Sequence, residues 1–197
     1  MHKPLGVLAA IATLTLAGCE TLPGQSAGTA AAPSQPSGFT CCNLHYENDW
    51  ISDANWSSMP MIPAGASIKV IDYGRYRINV EIDGRKMRLG LDYGRQQPLE
   101  AWARQIVVSE DPRRRIAAWP APVRDAVRAG KVAIGMSKDQ VLVSLGYPPM
   151  HQTPSLDAPQ WKYWHSSFGS FLVVWDGAGR LKDVIADPQT RYSVLYR

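Results

Sequence analysis

The sequence has little net charge, which limits its partners. Its 197 residues include 21 basic and 17 acidic side chains, so the formal charge is only +4. A protein with so small a net charge lacks the strongly basic surface that is typical of nucleic-acid-binding proteins, and we expect no nucleic-acid partner. Hydrophobic residues make up 45% of the chain, which excludes wholesale disorder and allows a packed core. The length suits one ordinary domain or two small ones.

Recognisable catalytic motifs are also lacking. The sequence has no phosphate-cradling loop, no Gly-x-Ser-x-Gly and no His-Glu-x-x-His. His151 and His165 stand apart from other candidate catalytic residues. We therefore predict no enzymatic activity and no cofactor.

The apolar run near the start of the chain, residues 5–16, is too short for a membrane span of about 20 residues. It follows Lys3 and ends in Leu16-Ala17-Gly18-Cys19, which is the layout of a secretory signal. A cysteine directly after Leu-Ala-Gly resembles the bacterial lipobox. That resemblance implies a signal peptide over residues 1–18 and lipidation of Cys19; a plain cleaved signal without lipid is the alternative.

A glutamate follows the cysteine of the lipobox-like motif. In enteric-type sorting an aspartate at this position favours retention in the inner membrane, so Glu20 favours the outer membrane. We expect a lipid anchor in that membrane and a folded part on its periplasmic face. Residues 19–38 contain small and polar residues with prolines and no apolar period, which predicts the lipidated cysteine followed by a flexible tether.

Two cysteines remain after the anchor, Cys41 and Cys42, and they are adjacent. An oxidising compartment favours disulfides. Neighbouring Cα atoms are about 3.8 Å apart across a trans peptide, which is shorter than the usual disulfide span. A disulfide between these two residues and pairing to another molecule both remain open.

Cys41, Cys42 and His45 also suggest two chemical alternatives. A structural zinc site needs four ligands, usually from separated pairs, and this cluster offers three with Asp49 further away. A Cys/His nucleophilic pair is conceivable, but no oxyanion hole or orienting acid is recognisable. We predict neither a metal site nor a catalytic thiol here.

Residues 39–97 are expected to form an irregular segment followed by a β meander. The irregular segment, residues 39–58, is rich in aromatics without a clear period. Over residues 64–95, apolar and polar residues alternate in three runs, and Asp83-Gly84 between two of them is a hairpin signal. Three short strands at this spacing favour a small SH3-like unit.

Residues 98–119 are predicted to be a helix and a basic connector. Leu99, Trp102, Ala103 and Ile106 have helical spacing. Arg113, Arg114 and Arg115 then form the main charge cluster. We interpret them as a solvated connector, with contact to anionic headgroups or an acidic partner as the alternative, each basic residue adding about 1 kcal/mol near such a surface.

Residues 120–197 change to two short helices followed by strands. The first helix is expected from 122 to 129, and the second begins at Ser137 with Gln140 at capping-box spacing. Strands are predicted at 161–165, 171–175 and 181–186, with a fourth, edge strand at 192–196. Helices first and strands after favour an α+β layer.

This last unit carries motifs that resemble a known family. The motifs are Gly135-Met136-Ser137, Leu145-Gly146-Tyr147-Pro148, Trp161-Lys162-Tyr163 and Asp176-Gly177-Ala178-Gly179-Arg180-Leu181. Over residues 120–186 the chain resembles the SmpA/OmlA, or BamE-like, outer-membrane lipoproteins. The resemblance implies two helices packed on a three-stranded antiparallel sheet. Typical members carry this unit alone near the anchor, whereas residues 39–119 precede it here.

The resemblance and the predicted anchor together give a functional expectation. We expect a non-catalytic outer-membrane lipoprotein that acts in envelope assembly or scaffolding through protein–protein contacts. Components of β-barrel assembly are candidate partners, because the best-known family member belongs to that machine. The alternative is a module that binds peptidoglycan or anionic lipid.

Overall fold

The computed structural model describes residues 36–197. The predicted signal peptide, Cys19 and most of the predicted tether therefore lie outside the described residues. The described chain is α+β, as the sequence predicts, and it contains three β-sheets and five helices.

The elements follow one another in this order along the chain. They are β1 (Ser37–Thr40), β2 (Leu44–His45), β3 (Trp50–Ser52), β4 (Met61–Ile62), β5 (Ser67–Tyr73), β6 (Arg77–Ile82), β7 (Arg85–Gly90), α1 (Leu99–Ile106), β8 (Val107–Val108), α2 (Pro112–Ala117), α3 (Ala121–Arg128), α4 (Lys138–Leu145), β9 (Gln160–Trp164), β10 (Ser170–Trp175), β11 (Leu181–Ile185) and α5 (Pro188–Val194).

The predicted meander is the centre of a six-stranded sheet with the order β3-β7-β6-β5-β1-β8. Alternate residues of β5 to β7 point into the first core, where Val70, Ile78 and Val80 are completely buried. Asp83 and Gly84 have φ values of 46° and 78°, which suit a tight turn between right-twisted strands. Helix α1 covers this core with Trp102, Ala103 and Ile106.

The segment 39–58 is more regular than predicted. It contributes β1, which pairs antiparallel with β5 and β8, and β3, which pairs parallel with β7. Strand β1 also begins at Ser37, inside the predicted tether of residues 19–38. Gly38 lies so close to the Val108 carbonyl that a side chain would collide with it. The missing Cβ therefore lets β1 and β8 approach each other.

The second core lies between helices α3 and α4 and the antiparallel sheet β11-β10-β9. The predicted capping box of α4 is present: Gln140 N donates to the Ser137 hydroxyl, and Ser137 N donates to the Gln140 side chain. Gly146 then ends the helix with a φ of 77°. Trp161 is fully buried and Trp164 is only partly buried, because successive strand positions face opposite sides and these two residues are three positions apart.

Two predicted elements are wrong. The connector after α1 is partly helical, since residues 112–117 form α2, and the expected edge strand at 192–196 overlaps helix α5. Asp111 caps α2 and Asp187 caps α5, each through its carboxylate, and a proline follows each aspartate. An aspartate N-cap with proline at the first helical position is a strong helix start.

The two cores are joined by two buried asparagines that lie in the segment 39–58. The Asn43 amide group donates to the carbonyls of Val127 (2.7 Å) and Ser144 (3.1 Å). Its oxygen accepts from the backbone N–H of Ala64 at 2.9 Å. The carbonyls at helix C-termini have no partner within the helix, so Asn43 supplies partners to the ends of α3 and α4 together.

Asn55 completes the same network from a left-handed conformation (φ 44°). Its amide group donates to Leu145 O at 2.7 Å and Asn43 O at 3.1 Å. Its oxygen accepts from His45 N at 2.6 Å. Asn43 and Asn55 are 1% and 7% exposed, so their amides satisfy backbone groups that water does not reach.

We predict that Asn43→Ala destabilises the chain by about 2–4 kcal/mol, because it removes the side-chain partner of the buried Ser144 carbonyl and of the Ala64 N–H and one of the two donors to the Val127 carbonyl. Asn55→Ala should have a similar effect. Asn79, whose amide bonds to Asp72 at the surface, is the matched control, and Asn79→Ala should cost less than about 1 kcal/mol. Urea unfolding measures all three; equal effects at the buried and exposed sites would contradict this role.

Candidate functional site

A groove lies between α2 and α4, beside the junction of the two cores. Its volume is about 850 Å³. The lining side chains divide into an apolar or sulfur-containing group (Cys41, Cys42, Leu142, Val143 and Tyr147) and a charged group (Glu110, Asp111, Arg114, Arg115 and Asp139). This volume falls within the range of small-ligand sites.

The adjacent cysteines, Cys41 and Cys42, line this groove and are bonded to each other as a disulfide. Cys41 N donates to Ile106 O at 2.8 Å, and Asn43 N donates to Val143 O at 3.0 Å. The pair is therefore held between α1 and α4 by the backbone on either side. Both residues are buried, at 8% and 1% exposure, so they present sulfur to the groove but little area to bulk water.

One ion pair spans the groove. Arg115 reaches Asp139 at 3.1 Å and so links α2 to α4. The Arg113 guanidinium beside Asp111 lowers the pKa of that carboxyl. Burial raises the pKa of Tyr147, whose phenol can donate a hydrogen bond into the groove.

The predicted arginine cluster is divided by helix α2. Arg113 pairs with Asp111 at 2.7 Å and lies over the Phe39 ring, whereas Arg115 pairs with Asp139. No ion pair involves Arg114 within residues 36–197. The three arginines therefore do not form one uniform basic face, and their contact with an anionic surface stays a prediction.

A second cavity of about 650 Å³ lies on the other side of α2. Arg113, Ile116 and Arg124 line it together with Phe39, which also borders the first groove. Helix α2 thus separates two openings at the junction of the cores. Its N-terminus packs against Gly65, where an added Cβ would lie 2.7 Å from Arg113 Cγ.

The Cys/His alternative is not assembled in the structure. The sulfurs of Cys41 and Cys42 are bonded to each other, and His45 Nδ1 lies 2.8 Å from Met59 O instead of a sulfur. His165 Nδ1 lies 2.9 Å from the Ser57 hydroxyl. The carboxylate of Asp187 accepts hydrogen bonds from the backbone as the N-cap of α5 and does not bond to a histidine. Burial lowers the pKa of both His45 and His165.

Sequence reasoning missed the α4 side of the groove. Leu142 and Tyr147 belong to a helix and its terminus that the sequence predicts well, yet nothing in the pattern indicates that they face Cys41. The Asp111-Pro112 pair was an available signal for the start of α2, which forms the opposite side of the groove.

Comparison with known proteins found no matching family model, no matching curated protein and no matching solved structure. Within residues 36–197, no helix combines the length and apolar character needed to cross a membrane. Across the same residues, no three side chains among His, Cys, Asp and Glu come together as a metal-binding group.

The disulfide predicts a specific pattern of thiol reactivity. In the Cys19→Ser protein purified without reductant, unfolding in denaturant should expose no reactive thiol, and reduction should release two. The protein should also run as a monomer on a non-reducing gel. A free thiol before reduction, or a reducible dimer, would mean that Cys41 and Cys42 are not bonded to each other.

Proposed function

We propose that this chain is a non-catalytic outer-membrane lipoprotein that is anchored at Cys19 and stands on the periplasmic face. Its folded part acts in envelope assembly or scaffolding and binds a partner protein in the groove between α2 and α4. The observation that carries the proposal is this groove, which lies where the two cores are joined.

The disulfide supports the proposed compartment. Disulfides form and persist in exported proteins and are rare in reducing cytosol. The bonded Cys41 and Cys42 therefore agree with the lipobox-like sequence that ends at Cys19. These are independent features, since one lies in the folded part and the other precedes it.

The finer fold is part of the proposal. We assign residues 120–197 to a BamE-like unit, because α3 and α4 precede a three-stranded antiparallel sheet and pack with it in one core. Helix α5 takes the place of a fourth strand. We assign the meander β5–β7, extended by β1, β3 and β8, to a small SH3-like unit.

The lining of the groove favours a protein segment as the occupant. An apolar floor formed by Leu142 and Val143 lies beside the disulfide, and charges of both signs lie around it. Protein interfaces typically combine an apolar centre with a polar rim. Arg114 and Glu110 have no ion-pair partner within residues 36–197, so they can pair with charges of a partner.

A second candidate function is binding of a non-protein envelope ligand. The groove volume of about 850 Å³ is suited to a fragment of peptidoglycan. Contact between anionic lipid and Arg113 or Arg115 is less favoured, because each already has a carboxylate partner. Co-sedimentation with purified sacculi separates this candidate from a protein scaffold.

The anchor is tested by Cys19→Ser. We expect the wild-type chain to incorporate labelled palmitate and to fractionate with the outer membrane. The variant should lose the label and leave the membrane fraction while its circular dichroism spectrum stays unchanged. Incorporation of label by Cys19→Ser would place the lipid on another residue. If the unlipidated form fully restored the function of cells that lack the protein, the anchor would not be needed for that function.

The groove is tested by site-specific photo-crosslinking in intact cells. A photoreactive residue at Leu142 should capture an envelope protein, because this side chain lines the groove. The same residue at Lys182, an exposed position on β11, is the matched control and should capture none. Capture at both positions, or at Lys182 alone, would contradict a partner in the groove.

A further inference from the structure

The cavity of about 650 Å³ that α2 and α3 line together has mainly apolar walls. Apart from Phe39, its apolar side chains are aliphatic, and they include Ile116 on α2 and Val127 on α3. Residues 63–66, which precede β5, also line it and consist of proline, alanine and glycine, so no large side chain from this stretch fills the space. A cavity of this volume, with apolar walls and a few polar groups, is typical of a small-ligand site.

Both helices place an arginine beside an aliphatic residue in this cavity. On α3, the lining residues Arg124, Val127 and Arg128 are spaced at i, i+3 and i+4, which puts them on one helix face. On α2, Arg113 and Ile116 are three residues apart and line the same cavity. Guanidinium groups and aliphatic side chains are therefore presented together.

Arg124 is the arginine of this lining that has no carboxylate partner. The other two each pair with an aspartate, at 2.7 Å and 2.8 Å. Arg124 is partly buried, and its Nη1 donates to the Trp119 carbonyl at 2.9 Å. Within residues 36–197 its other N–H groups have no acceptor, and Asp83, the acidic residue of the lining, accepts from Ser67 N instead. Arg124 therefore brings an unneutralised charge and free donors to the cavity wall.

We propose that this cavity binds a small amphipathic carboxylate, an anion with an aliphatic chain. The guanidinium of Arg124 receives the carboxylate, because its N–H donors form a fork that matches the two carboxylate oxygens. The chain lies against Ile116 and Val127, where its methylene groups are removed from water. The proposal goes beyond the proposed function and does not depend on the anchor or on the groove between α2 and α4.

The test is calorimetric titration of the Cys19→Ser protein, purified without detergent so that no added amphiphile occupies the cavity. Three probes separate the two parts of the ligand: octanoate, 1-octanol and acetate. We expect one octanoate per chain and about tenfold weaker binding of 1-octanol, which lacks the charge-assisted hydrogen bonds. Acetate, which lacks the chain, should show no binding over the same concentrations. In the NMR spectrum, octanoate should shift the backbone amide signals of residues 64–67.

The role of the guanidinium is tested by Arg124→Gln. This variant should weaken octanoate binding about tenfold and leave 1-octanol binding unchanged, so the preference for the anion disappears. Arg180→Gln is the matched control, because it removes the same charge from an exposed position that does not line the cavity. It should change neither affinity.

The place of the chain is tested by Ala117→Leu, which adds bulk at a lining position of α2 and should weaken both octanoate and 1-octanol. Ala118→Leu, at the adjacent exposed residue that does not line the cavity, should weaken neither, and circular dichroism checks that all variants fold. Absence of octanoate binding would overturn the proposal. Equal affinity for octanoate and 1-octanol, acetate binding as tight as octanoate binding, or octanoate binding unaffected by Arg124→Gln or by Ala117→Leu would overturn it as well.

Discussion

The amide groups of Asn43 and Asn55 hold the two halves of this protein together. Each core is built from its own sheet and helices, and the buried apolar side chains fall into two separate clusters. The asparagines instead bind the ends of α3 and α4, whose terminal carbonyls need partners. Because the amides are buried and fully used, the segment 39–58 has only one satisfactory position against the helices.

This constraint also determines where the groove lies. Asn43 directly follows Cys42, so the disulfide is fixed beside Val143 at the end of α4. Helix α2 approaches from the other side through the Arg115–Asp139 pair. Polar bonds join the cores, and the space that apolar packing would otherwise fill is left as a cavity on each side of α2. A binding surface at this junction is thus a consequence of the way in which the halves are joined.

The sequence predicted the elements that local physical chemistry determines. The alternation in β5–β7, the Asp83-Gly84 turn and the capping box at Ser137 each indicate one structure without help from the rest of the chain.

The segment 39–58 was missed because its strands are two to four residues long and are stabilised by distant partners such as β5 and β7. The Asp-Pro starts of α2 and α5 were visible at Asp111 and Asp187, but the basic run and the apolar alternation beside them favoured other structures. The groove is not encoded locally, because it depends on contacts between distant segments.

Differential scanning calorimetry tests most directly whether the two cores form one body. If the asparagine network couples them, residues 36–197 unfold together, and the calorimetric enthalpy equals the van't Hoff enthalpy in a single transition. Two resolved transitions in the wild-type chain, or a calorimetric enthalpy well above the van't Hoff value, would show that the cores unfold independently and would contradict the account.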